Sequence, residues 1–321
     1  MLTFIFTLPA KDFSVSCAGT QGTSMDQTEL TVKQLLIEYF RNQSREFSSS
    51  FIACQRSINR GNIHALRLSL KNLHALFLLL NILNTRRRRK PSFPTQLDKL
   101  FEQLGKIRDL QIMEKELQYH EIVLNTRFRK LKTKLKKQQS ERTENIRPVL
   151  KNLKFGIEIN KIADWLQEVV SLYEDDEHLV INIRTHLLKS WKQILVQLKH
   201  KHTQKNLHLI RIHIKHLGSM TSVIKQEQRL IFDLPFRLNT LDEFQELLGS
   251  WHDQAVFYNK IKGDMARNPA RKQMKLYFLL GSIKKKRGRM SRRVSIYCAR
   301  ILKKPPVPEK TGSSGVNSAQ G

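Results

Sequence analysis

The stretch His64-Ala-Leu-Arg67-Leu-Ser-Leu-Lys71-Asn-Leu-His74 predicts a helix with two different faces. At ~100° per residue, the basic side chains of His64, Arg67, Lys71 and His74 fall within an arc of roughly 80°. The apolar side chains gather on the opposite side, and these are Ile63, Leu66, Leu70, Leu73 and Phe77. We therefore expect a cationic stripe on one face of the helix and a core-facing stripe on the other.

The same pattern returns at an offset of 208 − 64 = 144 residues, as His208-Leu-Ile-Arg211-Ile-His-Ile-Lys215-His216. A second segment repeats at that offset, because Leu104-Gly105-Lys-Ile-Arg108-Asp109 corresponds to Leu248-Gly249-Ser-Trp-His252-Asp253. Two separate blocks that share one offset predict two copies of one helical unit. If a pseudo-twofold axis relates the copies, the two stripes face each other across one basic groove.

The composition indicates a folded protein with an anionic partner. The 321-residue chain carries 57 Lys and Arg against 28 Asp and Glu, a formal net charge of +29. Such an excess attracts polyanions, so an anionic polymer or surface is the expected partner class. Hydrophobic residues make up 40% of the chain, which excludes a disordered basic protein. Cys17, Cys54 and Cys298 are too far apart for a disulfide framework or a C-x-x-C metal site, and they indicate a reducing, cytoplasmic setting.

Helical periodicity and the lack of a convincing strand predict an all-α fold of two pseudo-symmetric bundle halves packed around the basic groove. The folded domain is expected over residues 25–303, with halves at about 28–140 and 160–303. Residues 1–24 are interpreted as a mis-assigned start or a disordered segment, and residues 304–321 as a disordered tail. No run of 18 apolar residues occurs, so no transmembrane helix is expected.

Several expectations concern helix boundaries. Gly61-Asn62 is expected to break the chain before the striped helix. A long basic helix is expected from Ile122 to about Gln139, and Pro148 is expected in the connection between the halves. The acidic cluster Glu174-Asp175-Asp176-Glu177 is interpreted as N-terminal charge for the next helix rather than as a metal site.

The stripes combine three side chains suited to phosphate. Arg offers a planar fork, Lys a point charge, and His an N–H donor that protonates more readily beside an anion. The candidate binding residues belong to the stripes and to the second repeated block, and they are His64, Arg67, Lys71, His74, Arg108, His208, Arg211, Lys215, His216 and His252.

Other interpretations stay open for individual residues. A buried, hydrogen-bonded core histidine is the alternative for His64 and His208. Asp109 and Asp253 are interpreted as groups that pair locally or orient an imidazole. The two glycines of the second block, Gly105 and Gly249, are expected to allow close packing between helices.

The doubled pattern resembles the CHAD family, the conserved histidine α-helical domain. The resemblance rests on a helix that begins His-x-x-Arg with further Arg or Lys and on a later Leu-Gly-x-x-Arg/His-Asp element, each present twice, over roughly residues 30–303. Asn72 and His74 stand where the family usually has Arg, with His216 and Gly218 at the equivalent places. The resemblance implies an all-helical bundle pair that binds inorganic polyphosphate without catalysis and associates with polyphosphate granules in bacteria. We expect neither a cofactor nor a metal.

Three other function classes remain open. A nonspecific nucleic-acid-binding helical protein would account for the charge, although the sequence has no recognisable motif and few aromatics for stacking. A metal-dependent phosphohydrolase would account for the histidines, although the stripes lack paired carboxylates for a catalytic ion. A membrane-surface protein would need an exposed helix that is both apolar and basic. The sequence leaves the oligomeric state open.

Two dependences of polyphosphate binding are also predicted. Affinity should fall steeply with salt, because each neutralised charge of the polymer releases counterions. Affinity should rise as pH falls through about 6 to 7, if imidazoles become charged in the complex.

Overall fold

The computed structural model describes residues 30–84, 86, 90–200, 202–232, 234–266 and 274–303. Within these ranges the chain forms ten helices and no strand, which confirms the predicted all-α fold class. The helices are α1 (Val32–Arg56), α2 (Arg60–Leu83), α3 (Thr95–Val123), α4 (Arg129–Asn152), α5 (Phe155–Ser171), α6 (Asp176–Lys199), α7 (Gln204–Ile224), α8 (Gln228–Ile231), α9 (Leu238–Ala266) and α10 (Met274–Lys303). Residues 1–24 and 304–321, for which a mis-assigned start and a disordered tail were predicted, lie outside the described residues.

The long helices recur at a nearly constant distance along the chain. Helices α1 to α4 begin at residues 32, 60, 95 and 129, and helices α6, α7, α9 and α10 begin at residues 176, 204, 238 and 274. The differences are 176 − 32 = 144, 204 − 60 = 144, 238 − 95 = 143 and 274 − 129 = 145. Two copies of one four-helix unit, connected by α5, would give this spacing, and the internal repeat itself stays a prediction.

The turns that lead into α2 and α7 each contain a hydrogen bond at the equivalent position. Asn62 Nδ2 donates to the carbonyl oxygen of Ala53 at 3.1 Å, and Asn206 Nδ2 donates to that of Gln197, also at 3.1 Å. Donors and acceptors are each 144 residues apart, since 206 − 62 = 144 and 197 − 53 = 144. Each striped helix is therefore tied to the preceding helix at the same position.

Two predicted boundaries are wrong. Gly61 lies inside α2, because the chain breaks earlier and Asn59 caps the helix by accepting from the Asn62 backbone N–H at 2.9 Å. The basic helix α4 begins at Arg129 rather than at Ile122, because Asn125 adopts a left-handed backbone, with φ 44°, and turns the chain after α3.

Two further expectations can be compared with the structure. Pro148 lies within α4 and not in the connection between the halves, so that expectation is wrong. The acidic cluster behaves as predicted: Asp175 caps α6 by accepting from the His178 backbone N–H at 2.8 Å, and Asp176 and Glu177 occupy its first turn.

The helices bury their apolar faces in two clusters. The larger cluster includes Leu66 of α2 and Ile210 of α7, and the smaller one lies where the later turns of α3 and α9 meet α4 and α10. Helix α2 packs against α7 and α3 packs against α9, so each helix meets its counterpart from the other half. On α3 the clusters are separated by residues 108–109, and on α9 by residues 252–256. Polar side chains of both halves come together in this interval.

One described helix, α2, is long and apolar enough to cross a bilayer by length and composition. Of its most apolar window, 56% is buried inside the protein, and a core helix passes the same test. The feature is therefore weak evidence of membrane insertion, and the absence of a membrane span stays a prediction.

Candidate functional site

The two basic stripes meet in one cleft. It has a volume of about 280 Å³, and its walls come from α2, α3, α7 and α9. Six of the ten predicted residues line it, namely Arg67, Lys71, Arg108, Arg211, Lys215 and His252. They form three pairs whose members are 144 residues apart, so both halves supply equivalent positions to the same cleft.

Arg67 is the most constrained cation of the cleft. Its guanidinium carbon lies 4.8 Å from the ring centroid of Phe101, a cation–π contact. Its Nε is buried and has no hydrogen-bond partner among the described residues. Burial lowers the pKa of Arg67. The nearby carboxylate of Asp109 opposes this effect, and the positive charge of Arg108 adds to it. A buried donor without an acceptor is costly, and a bound anion would supply the acceptor.

The other cations repel one another in the absence of a ligand. Burial lowers the pKa of Lys71, and the neighbouring Arg67 lowers it further. Lys215 stays exposed, yet its pKa is lowered, first by lost hydration and then by Arg211, Arg67 and Lys71. Burial also lowers the pKa of Arg211, and Asp253 opposes this effect. Like charges from two halves of the chain are thus held close together, which favours an anion that neutralises them.

Two carboxylates lie among these cations. The pKa of Asp253 is raised to about 6, first because burial disfavours its charged form; Arg211 opposes this effect, while Asp109 and Glu116 add to it. Asp109 is more exposed, and lost hydration raises its pKa in the same direction, opposed first by Arg67. The cleft therefore becomes more cationic as pH falls through about 6.

Two histidines extend the site. His252 lines the cleft, and its pKa is lowered to about 4, first by burial and then by Arg211 and His208. The ring centroids of His208 and His252 are 5.8 Å apart. His208 lines an adjoining cleft of about 460 Å³, which shares His252 and Val256 with the first. The second cleft therefore lies next to the first at His252 and reaches the N-terminal end of α7, where Lys205 also lines it.

Three predicted residues line neither cleft. His64 and His216 are exposed on their helices. His74 packs against Phe93 and Phe101, with ring centroids 4.7 and 6.2 Å apart, and burial lowers its pKa. The structure thus places seven of the ten predicted residues in two adjoining clefts and these three outside both of them.

Sequence reasoning missed several groups of the cleft. It gave Asp109 and Asp253 only a local role, although their place in the repeated block, directly after Arg108 and His252, could have identified them. Phe101 gave no such signal, because position 245 of the second half is Gln. Three apolar residues complete the wall, and they are Ile112, Met113 and Val256.

The two glycines of the repeated block have different surroundings. A β-carbon at Gly105 would lie 3.9 Å from Arg67 Nε, so this glycine contacts the cleft cation. A β-carbon at Gly249 would meet nothing within 4 Å, so the prediction of close helix packing at this glycine is wrong. Within the described ranges, no group of three or more His, Cys, Asp or Glu side chains is placed to hold a metal ion.

Comparisons with known proteins agree with this architecture. The crystal structure of the CHAD domain from the plant Ricinus communis is similar, with a TM-score of 0.65 at 15% sequence identity, and the match covers 89% of this chain and 96% of that chain. The two proteins therefore share a fold. A search of curated protein sequences finds no match. The family model described as the CHAD domain matches residues 45–262, more than half of the sequence, and the chain therefore belongs to the CHAD domain family.

Proposed function

We propose that this CHAD domain protein binds inorganic polyphosphate, without catalysis, in the cleft between its two halves. The observation that carries the proposal is the convergence of Arg67, Lys71, Arg108, Arg211 and Lys215 on one cleft of about 280 Å³. Polyphosphate carries negative charge on every phosphate unit, so a short length of it brings acceptor oxygens to cations on opposite walls. One of those oxygens would satisfy the buried Nε of Arg67.

The aromatic residues favour an anion without bases. Proteins that bind single-stranded nucleic acid generally stack successive bases on aromatic rings. In this cleft the Arg67 guanidinium already covers one face of Phe101. Trp251, in the adjoining cleft, is 3% exposed and its Nε1 donates to Ser291 Oγ at 3.0 Å. The site thus offers charge and little stacking surface.

The adjoining cleft, which shares His252 and Val256 with the first, offers a polymer a second set of contacts. It adds Lys205 and His208 to the basic groove. We therefore expect long-chain polyphosphate to bind more tightly than tripolyphosphate, because a long chain occupies both clefts. Association with polyphosphate granules in the cytoplasm belongs to the same proposal, and it is supported by the family resemblance alone.

The proposal is tested by titrating long-chain polyphosphate into wild type, Arg211→Gln and Arg142→Gln at one near-physiological salt concentration. Arg142 is an exposed cation of α4 outside both clefts, so it controls for the change in net charge. Loss of a charge-assisted hydrogen bond predicts affinity weakened by roughly 10- to 100-fold in Arg211→Gln. The control should stay within about twofold of wild type.

Each part of the proposal can fail separately. Equal losses in Arg211→Gln and Arg142→Gln would remove the cleft as the site. Failure of wild type to bind would remove polyphosphate as the ligand. Steady release of phosphate from the bound polymer would show catalysis and overturn that part of the proposal.

A further inference from the structure

One end of the molecule exposes a group of large apolar side chains. At the C-terminal end of α3, Ile122 is 82% exposed and Val123 is 53% exposed. In the first turns of α10, Met274, Tyr277 and Phe278 are 71%, 65% and 62% exposed. We call these five residues the apolar tip. Scattered exposed apolar residues are normal, but several at one end of a molecule indicate an interaction site.

Contacts between α3 and α10 place the two parts of the apolar tip at the same end of the bundle. Lys286 Nζ donates to Glu116 Oε2 at 2.7 Å, and His120 Nδ1 lies 2.9 Å from Ser282 Oγ. Four residues forward on α3 thus correspond to four residues back on α10, so the helices run antiparallel. One more turn brings the end of α3 level with residues 278–279 of α10, so the five residues lie at one end of the bundle.

The exposed face of α10 changes from apolar to cationic along its length. At ~100° per residue, Met274, Tyr277 and Phe278 fall within an arc of about 120° that also contains Lys285 and Arg289. All five are exposed. An exposed helix that is both apolar and basic is what a membrane-surface protein needs.

Cations surround the apolar tip, while nearby acids are already engaged. Exposed basic residues follow α3 and begin α4 and α10, and they are Arg127, Arg129, Lys130 and Lys275. Glu116 accepts from Lys286, and Glu121 Oε1 accepts from the Phe128 backbone N–H at 2.8 Å. The surroundings of the tip therefore carry positive charge that is free to meet an anionic surface.

We propose that the apolar tip docks this protein on an anionic phospholipid membrane. Met274, Tyr277 and Phe278 insert at the level of the headgroups, and Lys285 and Arg289 contact lipid phosphates and carboxylates. Charge complementarity selects the occupant, because basic residues beside an inserted apolar face are attracted to an anionic leaflet. The surface is distinct from the cleft, so this inference does not rest on polyphosphate binding.

The test is co-sedimentation of the full chain with phosphatidylcholine vesicles, with and without about one third phosphatidylserine. The decisive variant is Tyr277→Ser/Phe278→Ser, which leaves the net charge unchanged. The matched control is Ile157→Ser/Ile181→Ser, because these residues are 55% and 52% exposed on α5 and α6, away from the tip. All four side chains are exposed, so both variants are expected to fold, and circular dichroism checks this.

Wild type and the control should bind the phosphatidylserine vesicles equally, and the tip variant should bind at least about tenfold more weakly. Phe278→Trp should show a blue shift of tryptophan emission on binding. Unchanged binding by the tip variant would overturn the proposal, since attraction by net charge alone would then be sufficient. A further outcome is that wild type binds no vesicles but forms a dimer in light scattering, and that the tip variant loses this dimer. That outcome would identify the tip as a contact between two copies and would also overturn the proposal.

Discussion

Replacing Arg67 with methionine should stabilise the ligand-free protein while removing its response to polyphosphate. The Nε of Arg67 is buried without a described acceptor, and such a donor costs about 1–3 kcal/mol. The change also relieves repulsion with Lys71 and Lys215, whose pKa values Arg67 lowers. Loss of the cation–π contact with Phe101 opposes this by about 0.5–2 kcal/mol, part of which a sulfur–aromatic contact restores. We expect a net gain of about 1 kcal/mol.

Urea denaturation without ligand measures the free energy of unfolding, and thermal melts with added polyphosphate measure the response to the ligand. Polyphosphate should raise the melting temperature of wild type but not of Arg67→Met. Arg142→Met, at an exposed position of α4, should change the free energy of unfolding by less than about 0.5 kcal/mol and keep the response. Destabilisation of Arg67→Met by about 1 kcal/mol or more, with the polyphosphate response intact, would refute the reasoning.

Four other predictions concern the pH dependence of affinity, the pH dependence of stability, salt and helix stability. Polyphosphate affinity should rise as pH falls from about 7.5 to 5.5, because a bound anion favours the protonated forms of Asp253 and His252. The pKa values of these two groups without ligand are about 6 and about 4. In a titration series, Asp253→Asn should flatten this rise. Because the pKa of Asp253 is raised, the stability that its protonated form contributes is present below its ordinary pKa and lost as pH rises through about 6. In urea denaturation, Asp253→Asn should therefore stabilise the protein more at about pH 7.5 than at pH 4.5. The logarithm of the association constant for polyphosphate should fall linearly with the logarithm of salt concentration, and Arg211→Gln should reduce the magnitude of the slope by about 1. An unchanged slope would argue against direct contact between Arg211 and the polymer. Gly249→Ala should raise the free energy of unfolding by about 0.5–1 kcal/mol, because its β-carbon meets nothing within 4 Å inside α9; a loss of stability would show that the position is constrained.

The repeat allowed the centre of the cleft to be predicted from the sequence. Residues 144 positions apart were predicted to face one another across one groove, and Arg67 with Arg211 and Lys71 with Lys215 line the same cleft. The ends of the stripes could not be placed in the same way. From His64 to His74 a helix advances about 15 Å, and of the four basic residues in this stretch only Arg67 and Lys71, in its middle, line the cleft.

Other features depended on packing that periodicity does not encode. Phe101 enters the cleft because α3 lies against α2, and the second half has no aromatic at the equivalent position. The outward face of α10 was also unpredictable, since its sequence mixes apolar and basic residues and only the packing of the helices shows which of them face solvent. The boundary error before α4 came from Asn125, a non-glycine residue whose left-handed backbone no local pattern announced.

The central claim is that the cleft prefers polyphosphate to other polyanions, and competition at one near-physiological salt concentration tests it most directly. Labelled long-chain polyphosphate on wild type is displaced by unlabelled polyphosphate, single-stranded RNA or duplex DNA, and the series is repeated on Arg67→Ala/Arg211→Ala. We expect polyphosphate to compete at least about tenfold better than either nucleic acid, with that preference lost in the double variant. Equal competition by all three polymers, unaffected by the double substitution, would contradict the claim and identify a nonspecific polycation.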